Sequence, residues 1–271
     1  MKLIPINKLL LALSAAFPAL SALADTSVEG QYQGRNVYVQ SPESDMGFGS
    51  CISRVSVNGQ SVSSDYSASA FQINFDEFDL EIGDPVIILF EHEEGCKPKL
   101  LNPEVLLPKS TYSLEGISCA ADGALSWSTT GESGKLPYYI EHYRWNKWIR
   151  VGEVNGVGTT DLNKYMFYVI PHSGENKVRI TQVDNSGRSR PSKEVTFVAE
   201  GVAEPELNAI TKQKIIEFIA QGQRVKTKYE VYDAYGNIVK KGYNSIVDYS
   251  NLRSGVYYVN YDNKTERIIV K

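Results

Sequence analysis

The amino-acid sequence predicts an all-β protein made of tandem β-sandwich domains, and three observations lead to this prediction. Tyrosine is the most abundant aromatic residue, with 17 copies among 271 residues, and tyrosine, valine and threonine all favour pleated strands. The apolar residues occur in short alternating runs, which glycine, asparagine and aspartate interrupt at turn-like intervals. Only the segment 208–220 has a briefly helical pattern, and it fits a strand equally well.

The first 24 residues have the three parts of a secretory signal peptide. Lys2 and Lys8 flank the start, residues 9–20 are mostly apolar, and the small residues Ala22 and Ala24 mark a cleavage site. A transmembrane anchor would need about 20 apolar residues, and a proline interrupts this shorter run. The sequence therefore predicts a chain that is exported, to the periplasm and from there to the outer membrane, the cell surface or the medium.

The charge is distributed unevenly along the chain. The formal net charge is −4; residues 205–271 hold eleven Lys/Arg against seven Asp/Glu, which leaves −10 for residues 25–204 once the two leader lysines are set aside. An acidic body is unsuited to nucleic acid, since that binding depends on neutralising phosphates. The composition therefore excludes a nucleic-acid partner.

All three cysteines lie in the predicted mature chain, where an oxidising compartment permits a disulfide. Cys51 and Cys96 each occupy a turn-like context at the edge of a strand pattern, and we predict that they pair. Cys119 would then be left over, as a small buried apolar residue and not a nucleophile. Three pairings remain open from the sequence alone.

Residues 25–108 are predicted to form the first sandwich. Asn58-Gly59 stands between two alternating runs, and both residue types tolerate the positive φ angles of a tight hairpin turn. The nearly continuous apolar run within residues 84–93 indicates a central strand that is buried on both faces. Three prolines after residue 97 confine the end of this module to edge strands or linkers.

Residues 109–200 are predicted to form a second sandwich. Trp127 lies on an early strand, residues 138–158 alternate before they turn on glycine, and residues 182–192 read "QVDNSGRSRPS". This order of features resembles the fibronectin type III-like domains that often precede the tail of proteins exported by Bacteroidota. The resemblance implies about seven strands in an immunoglobulin-like sandwich, with a large aromatic residue in the core.

Residues 201–271 end in a hairpin pattern instead of an irregular tail. The segments "VYDAYGNIVKKG" and "SNLRSGVYYV", followed by a closing strand that ends in lysine, resemble the type A C-terminal sorting domain of the type IX secretion system. In that family a small β-sandwich is the address that the outer-membrane translocon recognises. The residues that carry the resemblance are Tyr232, Gly236, Leu252, Gly255, Val256, Tyr257 and Lys271.

The resemblance implies partners as well as a fold. The expected partners are the type IX translocon and the sortase and attachment components, and the layout is similar to that of the PorA accessory proteins of this system. We therefore expect a non-enzymatic accessory protein of the pathway. The alternative is an ordinary type IX cargo that binds a glycan or another ligand at the cell surface. Whether the tail is cleaved or retained separates the two hypotheses.

The sequence contains no recognisable catalytic motif. It lacks a Gly-x-Ser-x-Gly elbow, a His-Glu-x-x-His pair and a phosphate-binding loop, and its three histidines lie far apart in the chain. In the segment 91–96, alternation along a strand sends His92 to one face and its two glutamate neighbours to the other, which disfavours a metal site. We predict no enzymatic activity, no cofactor and no metal.

The aromatic segment 138–148 suggests a surface for sugars. Alternation along a strand divides this segment into two faces, one of which must fill the sandwich core. One face carries Tyr139, Glu141, Tyr143 and Trp145, and the other carries Tyr138, Ile140, His142 and Arg144. Exposed aromatic faces can stack on pyranose rings, so Trp145 and Trp148 are candidate glycan-stacking residues, with lipopolysaccharide or a surface glycan as the ligand. Cross-strand aromatic pairs also stabilise sheets without any ligand.

Overall fold

The fold is all-β, as predicted. A computed structural model describes residues 23–44 and 49–271, so the predicted signal peptide lies outside the described residues except for its last two positions. Within the described ranges, strands are accompanied only by two short 3-10 helices, at Phe75–Glu77 and Pro103–Leu106. None of the helices in this part of the chain has the length and apolar character needed to cross a membrane.

The chain forms two compact units, which are described separately. The predicted module boundaries at residues 108 and 200 stay predictions. The first unit comprises, among the described residues, 23–28, 36–44, 49–74 and 87–102, and the second comprises 29–35, 75–86 and 103–271.

The first unit contains two antiparallel sheets, ordered β1-β6-β3-β4 and β5-β2-β7. Asn58 and Gly59 have φ angles of 49° and 84° and connect β3 to β4, which confirms the predicted hairpin. The strands are β1 Leu23–Gln31, β2 Val37–Gln40, β3 Ile52–Val57, β4 Gln60–Ser61, β5 Ala70–Ile73, β6 Pro85–Glu93 and β7 Lys99–Leu100, with residues 29–31 and 85–86 counted in the second unit.

The prediction that β6 is buried on both faces is wrong. The strand is central in hydrogen-bonding order, between β1 and β3, but its burial alternates. Val86, Ile88 and Phe90 are fully buried, whereas Ile87, which lies between the first two, is 47% exposed. One face of an antiparallel sheet commonly faces solvent, and an apolar run alone does not distinguish this case from a strand buried on both sides.

The central sandwich, β8 to β15, lies in the second unit and confirms the predicted second sandwich. One sheet is ordered β12-β9-β8, and the other β11-β10-β13-β14, with β15 also paired to β13. Trp127 is buried in the core between them and stacks on Tyr165. The strands are β8 Ser113–Cys119, β9 Ala124–Thr130, β10 Pro137–Arg144, β11 Lys147–Asn155, β12 Asn163–Tyr168, β13 Glu175–Val183, β14 Ser189–Pro191 and β15 Val195–Val198.

The C-terminal sandwich, β16 to β23, is also part of the second unit. Its sheets are ordered β16-β17-β18, with β21 paired to β17, and β20-β19-β22-β23. Phe218 and Tyr261 stack in the core between the sheets. The strands are β16 Glu206–Ile210, β17 Ile215–Ala220, β18 Gln223–Arg224, β19 Thr227–Asp233, β20 Ile238–Asn244, β21 Ile246–Asp248, β22 Gly255–Tyr261 and β23 Lys264–Val270.

Candidate functional site

The end of the chain is an integral strand of the C-terminal sandwich. β23 pairs with β22 along its whole length, from Gly255 opposite Val270 to Tyr261 opposite Lys264. Ile268 and Val270 contribute to the core. Burial of these side chains and a complete hydrogen-bond ladder keep the end of the chain ordered.

Several residues of the predicted sorting motif form a turn or pack against the core of the C-terminal sandwich. Gly236 has a φ of 86° in the turn between β19 and β20, a conformation that residues with a Cβ adopt at a cost. The Asp233 carboxylate stabilises this turn by accepting the backbone N–H of Tyr235 and of Asn237. Leu252 packs against the core. Tyr257 is buried, and Gly255 begins β22.

Two further motif residues lie on the opposite face of the same sheet. Tyr232 pairs with Ile238 on one side and with Tyr258 on the other, while Val256 pairs with Ile269. The alternate residues of β19, β22 and β23 form the core, so these five side chains point away from it. We call them the outer face. Lys271 follows β23 and is exposed.

The outer face is an apolar surface. Ile238, Tyr258 and Ile269 are between 43% and 53% exposed, and they lie on three of the four strands of the sheet. Scattered apolar side chains are normal on protein surfaces, but a contiguous apolar group is typical of an interaction site.

A buried arginine joins the central and C-terminal sandwiches. Arg144, the last residue of β10, is 2% exposed. Its Nη1 donates to the carbonyl oxygen of Asp262 (3.1 Å), its Nη2 to that of Ile170 (2.7 Å), and its Nε to Nδ1 of His142 (3.2 Å). Burial lowers the pKa of Arg144 to about 10, so the guanidinium stays charged at neutral pH. We call this contact region the joint.

Asp262 supplies the C-terminal side of the joint. It lies in the turn between β22 and β23 with a φ of 47°. Its carboxylate accepts the backbone N–H of Ser173 (3.0 Å) and the hydroxyl of the same residue. In the adjacent position the side-chain oxygen of Asn263 accepts the backbone N–H of Trp145 (3.2 Å). The turn is therefore held by two separate segments of the central sandwich.

Two stacked histidines support Arg144 from within the central sandwich. The rings of His142 and His172 lie 5.1 Å apart and nearly parallel, and Asn176 contacts Nε2 of His142 and the backbone N–H of His172. Burial, followed by the positive charge of Arg144, lowers the pKa of His142 to about 2. Burial also lowers the pKa of His172. Both rings are therefore neutral at physiological pH.

Lys147 links the joint to the outer face. Its Nζ donates to Oε2 of Glu230 (2.8 Å) and to the hydroxyl of Tyr232 (2.5 Å). Tyr232 thus contacts the central sandwich through its hydroxyl while its ring belongs to the outer face. Residues 199–205 connect β15 to β16 and are called the linker. The linker is also held, because Lys264 Nζ pairs with Oε1 of Glu204 (2.8 Å) and Pro205 is buried.

The two candidate glycan-stacking residues are already engaged with other side chains. Trp145 lies in the β10–β11 turn with a φ of 51°, and Lys147 Nζ is 5.7 Å from its ring centroid. The guanidinium of Arg179 lies 4.1 Å from the ring centroid of Trp148, and the Tyr143 ring packs edge-on at 5.2 Å. A ligand would have to use the remaining ring surfaces.

The predicted cysteine pair is joined in the structure. Cys51 and Cys96 form a disulfide that connects the start of β3 to the segment after β6, with the two Cα atoms 5.9 Å apart. Cys119 is a free thiol and is partly buried, and burial raises its pKa to about 11. Such a thiol is unreactive at neutral pH.

The joint was missed by the reasoning from sequence. Alternation had placed Arg144 on the same side of β10 as Tyr138 and Ile140, which are both fully buried. An arginine on a core-facing position was the available signal, since such a charge needs hydrogen-bond partners. Its partner Asp262 lies 118 residues further along the chain, and no local pattern connects the two.

Comparison with known proteins identifies no family. No family model matches the chain, and no curated protein matches it. Similar solved structures include the chicken CNTN1 FN1–FN3 domains (11% identity, TM-score 0.26, 91% of this chain and 97% of that chain). Others are a tetra-tandem repeat from the extending region of a large adhesion protein (12%, 0.30, 94% and 76%) and the Clostridium thermocellum CbhA fibronectin(III)-like modules (13%, 0.22, 59% and 94%). These likenesses are too weak to carry an argument, and the fold described above rests on the strands and sheets of this chain.

Proposed function

We propose that this protein is a non-enzymatic, exported interaction protein of the type IX secretion pathway, with a PorA-like accessory role. In this proposal the C-terminal sandwich is the recognition element, and the translocon or attachment components contact its outer face. The single observation that carries the proposal is the ordered chain end, whose sheet presents exposed apolar side chains on the side away from the core.

The joint supports an accessory role over that of a processed cargo. The linker residue Glu204 is ion-paired to Lys264, and Pro205 is buried. The carboxylate of Asp262 and the guanidinium of Arg144 add hydrogen bonds between the same two sandwiches. A tail held in this way is presented in a fixed orientation relative to the central sandwich.

The disulfide supports the exported location. Disulfides persist in oxidising compartments such as the periplasm and the cell exterior, and Cys51–Cys96 closes a long stretch of the first unit. This agrees with the predicted signal peptide, which lies outside the described residues apart from its last two positions.

The outer face can be tested in the full-length chain. We expect Tyr258→Lys and Ile269→Lys to reduce capture of translocon or attachment components by about thirty-fold, equivalent to the 2 kcal/mol typical of an interface hot spot. Met166→Lys is the matched control, since Met166 is a 56% exposed strand residue of the central sandwich. Deletion of residues 205–271 should abolish capture and surface delivery. Unchanged capture by both outer-face variants would contradict the proposal.

The second candidate is a cargo that binds a surface glycan. The observation that favours it is the partly exposed cluster of Trp148, Tyr143 and Arg179, in which aromatic rings and a guanidinium lie side by side. Intact-mass analysis of the surface-released protein separates the two candidates, because a cargo should lose the segment after Val202 and an accessory protein should retain it. Glycan-array binding that disappears in Trp148→Ala would favour the cargo.

A further inference from the structure

A cavity of about 290 Å³ lies beside the joint. The linker residues 201–203 form part of its wall, together with Ile170 and Pro171 of the central sandwich. The remaining wall includes Arg144 from the central sandwich and Lys226, Lys228 and Tyr243 from the C-terminal sandwich. The cavity therefore exists only when the two sandwiches are docked.

The cavity has an excess of positive charge. Three of its lining residues are cationic, namely Arg144, Lys226 and Lys228, and Asp262 is the single carboxylate among them. The Asp262 carboxylate is already occupied by the N–H and hydroxyl of Ser173. No carboxylate of the described residues lies within ion-pairing distance of Lys226 or Lys228.

The charged residues around the cavity do not neutralise its excess of positive charge. Glu230 is the acidic residue whose charge acts on Lys228, but its carboxylate pairs with Lys147 and accepts the hydroxyl of Tyr232. Lys241 adds a further positive charge near Lys228. Lys228 is half-buried, and burial, followed by the charge of Arg144, lowers its pKa. An unneutralised ammonium in such a place is costly unless an anion accompanies it.

We propose that this cavity is a binding site for a phosphate-type oxyanion. Lys226 and Lys228 offer ammonium donors, which bind phosphate as point charges, and Tyr243 lines the same space. Arg144, which is buried in the cavity wall, contributes a further positive charge. The space is about that of ten liquid waters at 30 Å³ each, enough for inorganic phosphate or a small organic phosphate. The assignment goes beyond the proposed role in export and does not depend on it.

The test is calorimetric titration of the full-length protein with inorganic phosphate at constant ionic strength set by chloride. We expect saturable binding to the wild-type protein at one site. Lys228→Gln and Lys226→Gln should each weaken it by about tenfold, as expected when one charged hydrogen bond is lost. Lys212→Gln is the matched control, because Lys212 is an exposed lysine of the same sandwich that does not line the cavity.

Three outcomes would overturn the proposal. The first is an absence of phosphate binding beyond that of chloride. The second is equal weakening by Lys212→Gln and Lys226→Gln, which would indicate diffuse attraction to the basic surface. The third is acetate binding as tight as phosphate binding, which would refute the choice of oxyanion. Lys226 is exposed, so its variant gives a result even where Lys228→Gln does not fold.

Discussion

Replacing Arg144 with methionine is the sharpest test of the joint. The change keeps a long unbranched side chain but removes the guanidinium that donates to the carbonyl oxygens of Asp262 and Ile170. Each of the two carbonyl oxygens then loses a charged donor, at about 1.5 kcal/mol each. We therefore expect a loss of about 3 kcal/mol in the free energy of unfolding of this part of the chain.

Thermal denaturation and limited proteolysis measure this loss in two ways. At about 2–4 °C per kcal/mol for a body of this size, the thermal midpoint of Arg144→Met should fall by about 6–12 °C. Cleavage within residues 199–205 should become faster, because the linker is no longer held. Arg188→Met is the control, since Arg188 is an exposed loop arginine of the central sandwich. Stability within 1 kcal/mol of wild type, with an unchanged cleavage rate, would refute the reasoning.

Three further predictions concern separate parts of the molecule. His142 has a folded-state pKa lowered to about 2, so the unfolded chain binds a proton that the folded chain excludes. Stability should therefore fall by about 1.2 kcal/mol from pH 7 to pH 5.5, and urea titrations of His142→Gln should show a smaller fall. Replacing both Cys51 and Cys96 with serine opens a loop with a sequence separation of 45. Unfolding of the first unit should then need about 4 kcal/mol less, and an unchanged denaturation midpoint would contradict this. Glu132 is buried and accepts four hydrogen bonds, including one from the backbone N–H of Gly158. In Glu132→Gln the amide NH₂ group replaces one of the accepting oxygens, so at least one of these donors faces another donor. The free energy of unfolding should fall by about 2 kcal/mol, which thermal unfolding measures.

Local rules account well for the turns and strands. Asn58-Gly59 and Gly236 adopt the positive φ angles that their residue types favour. The alternation of β10 placed Tyr138 and Ile140 on one shared face, and both are fully buried. These features depend on neighbours within a few residues, so a single sequence contains the information that specifies them.

Local rules failed where burial depends on a distant partner. The apolar run of β6 gave no sign that Ile87 would face solvent, because exposure is set by what packs on each face of a sheet. The engagement of Trp148 by Arg179 was also invisible, since it joins β11 to β13. The outer face needed the register between β19, β22 and β23, which the sequence does not state.

The sequence by itself determined an all-β chain with an ordered C-terminal hairpin, because period-two alternation and turn chemistry act over a few residues. Only the tertiary structure decided that the central and C-terminal sandwiches share a buried polar joint. The contact of Arg144 with Asp262 spans 118 positions. Its stability depends on removing both groups from water while each finds a hydrogen-bond partner, a condition that only the assembled fold can meet.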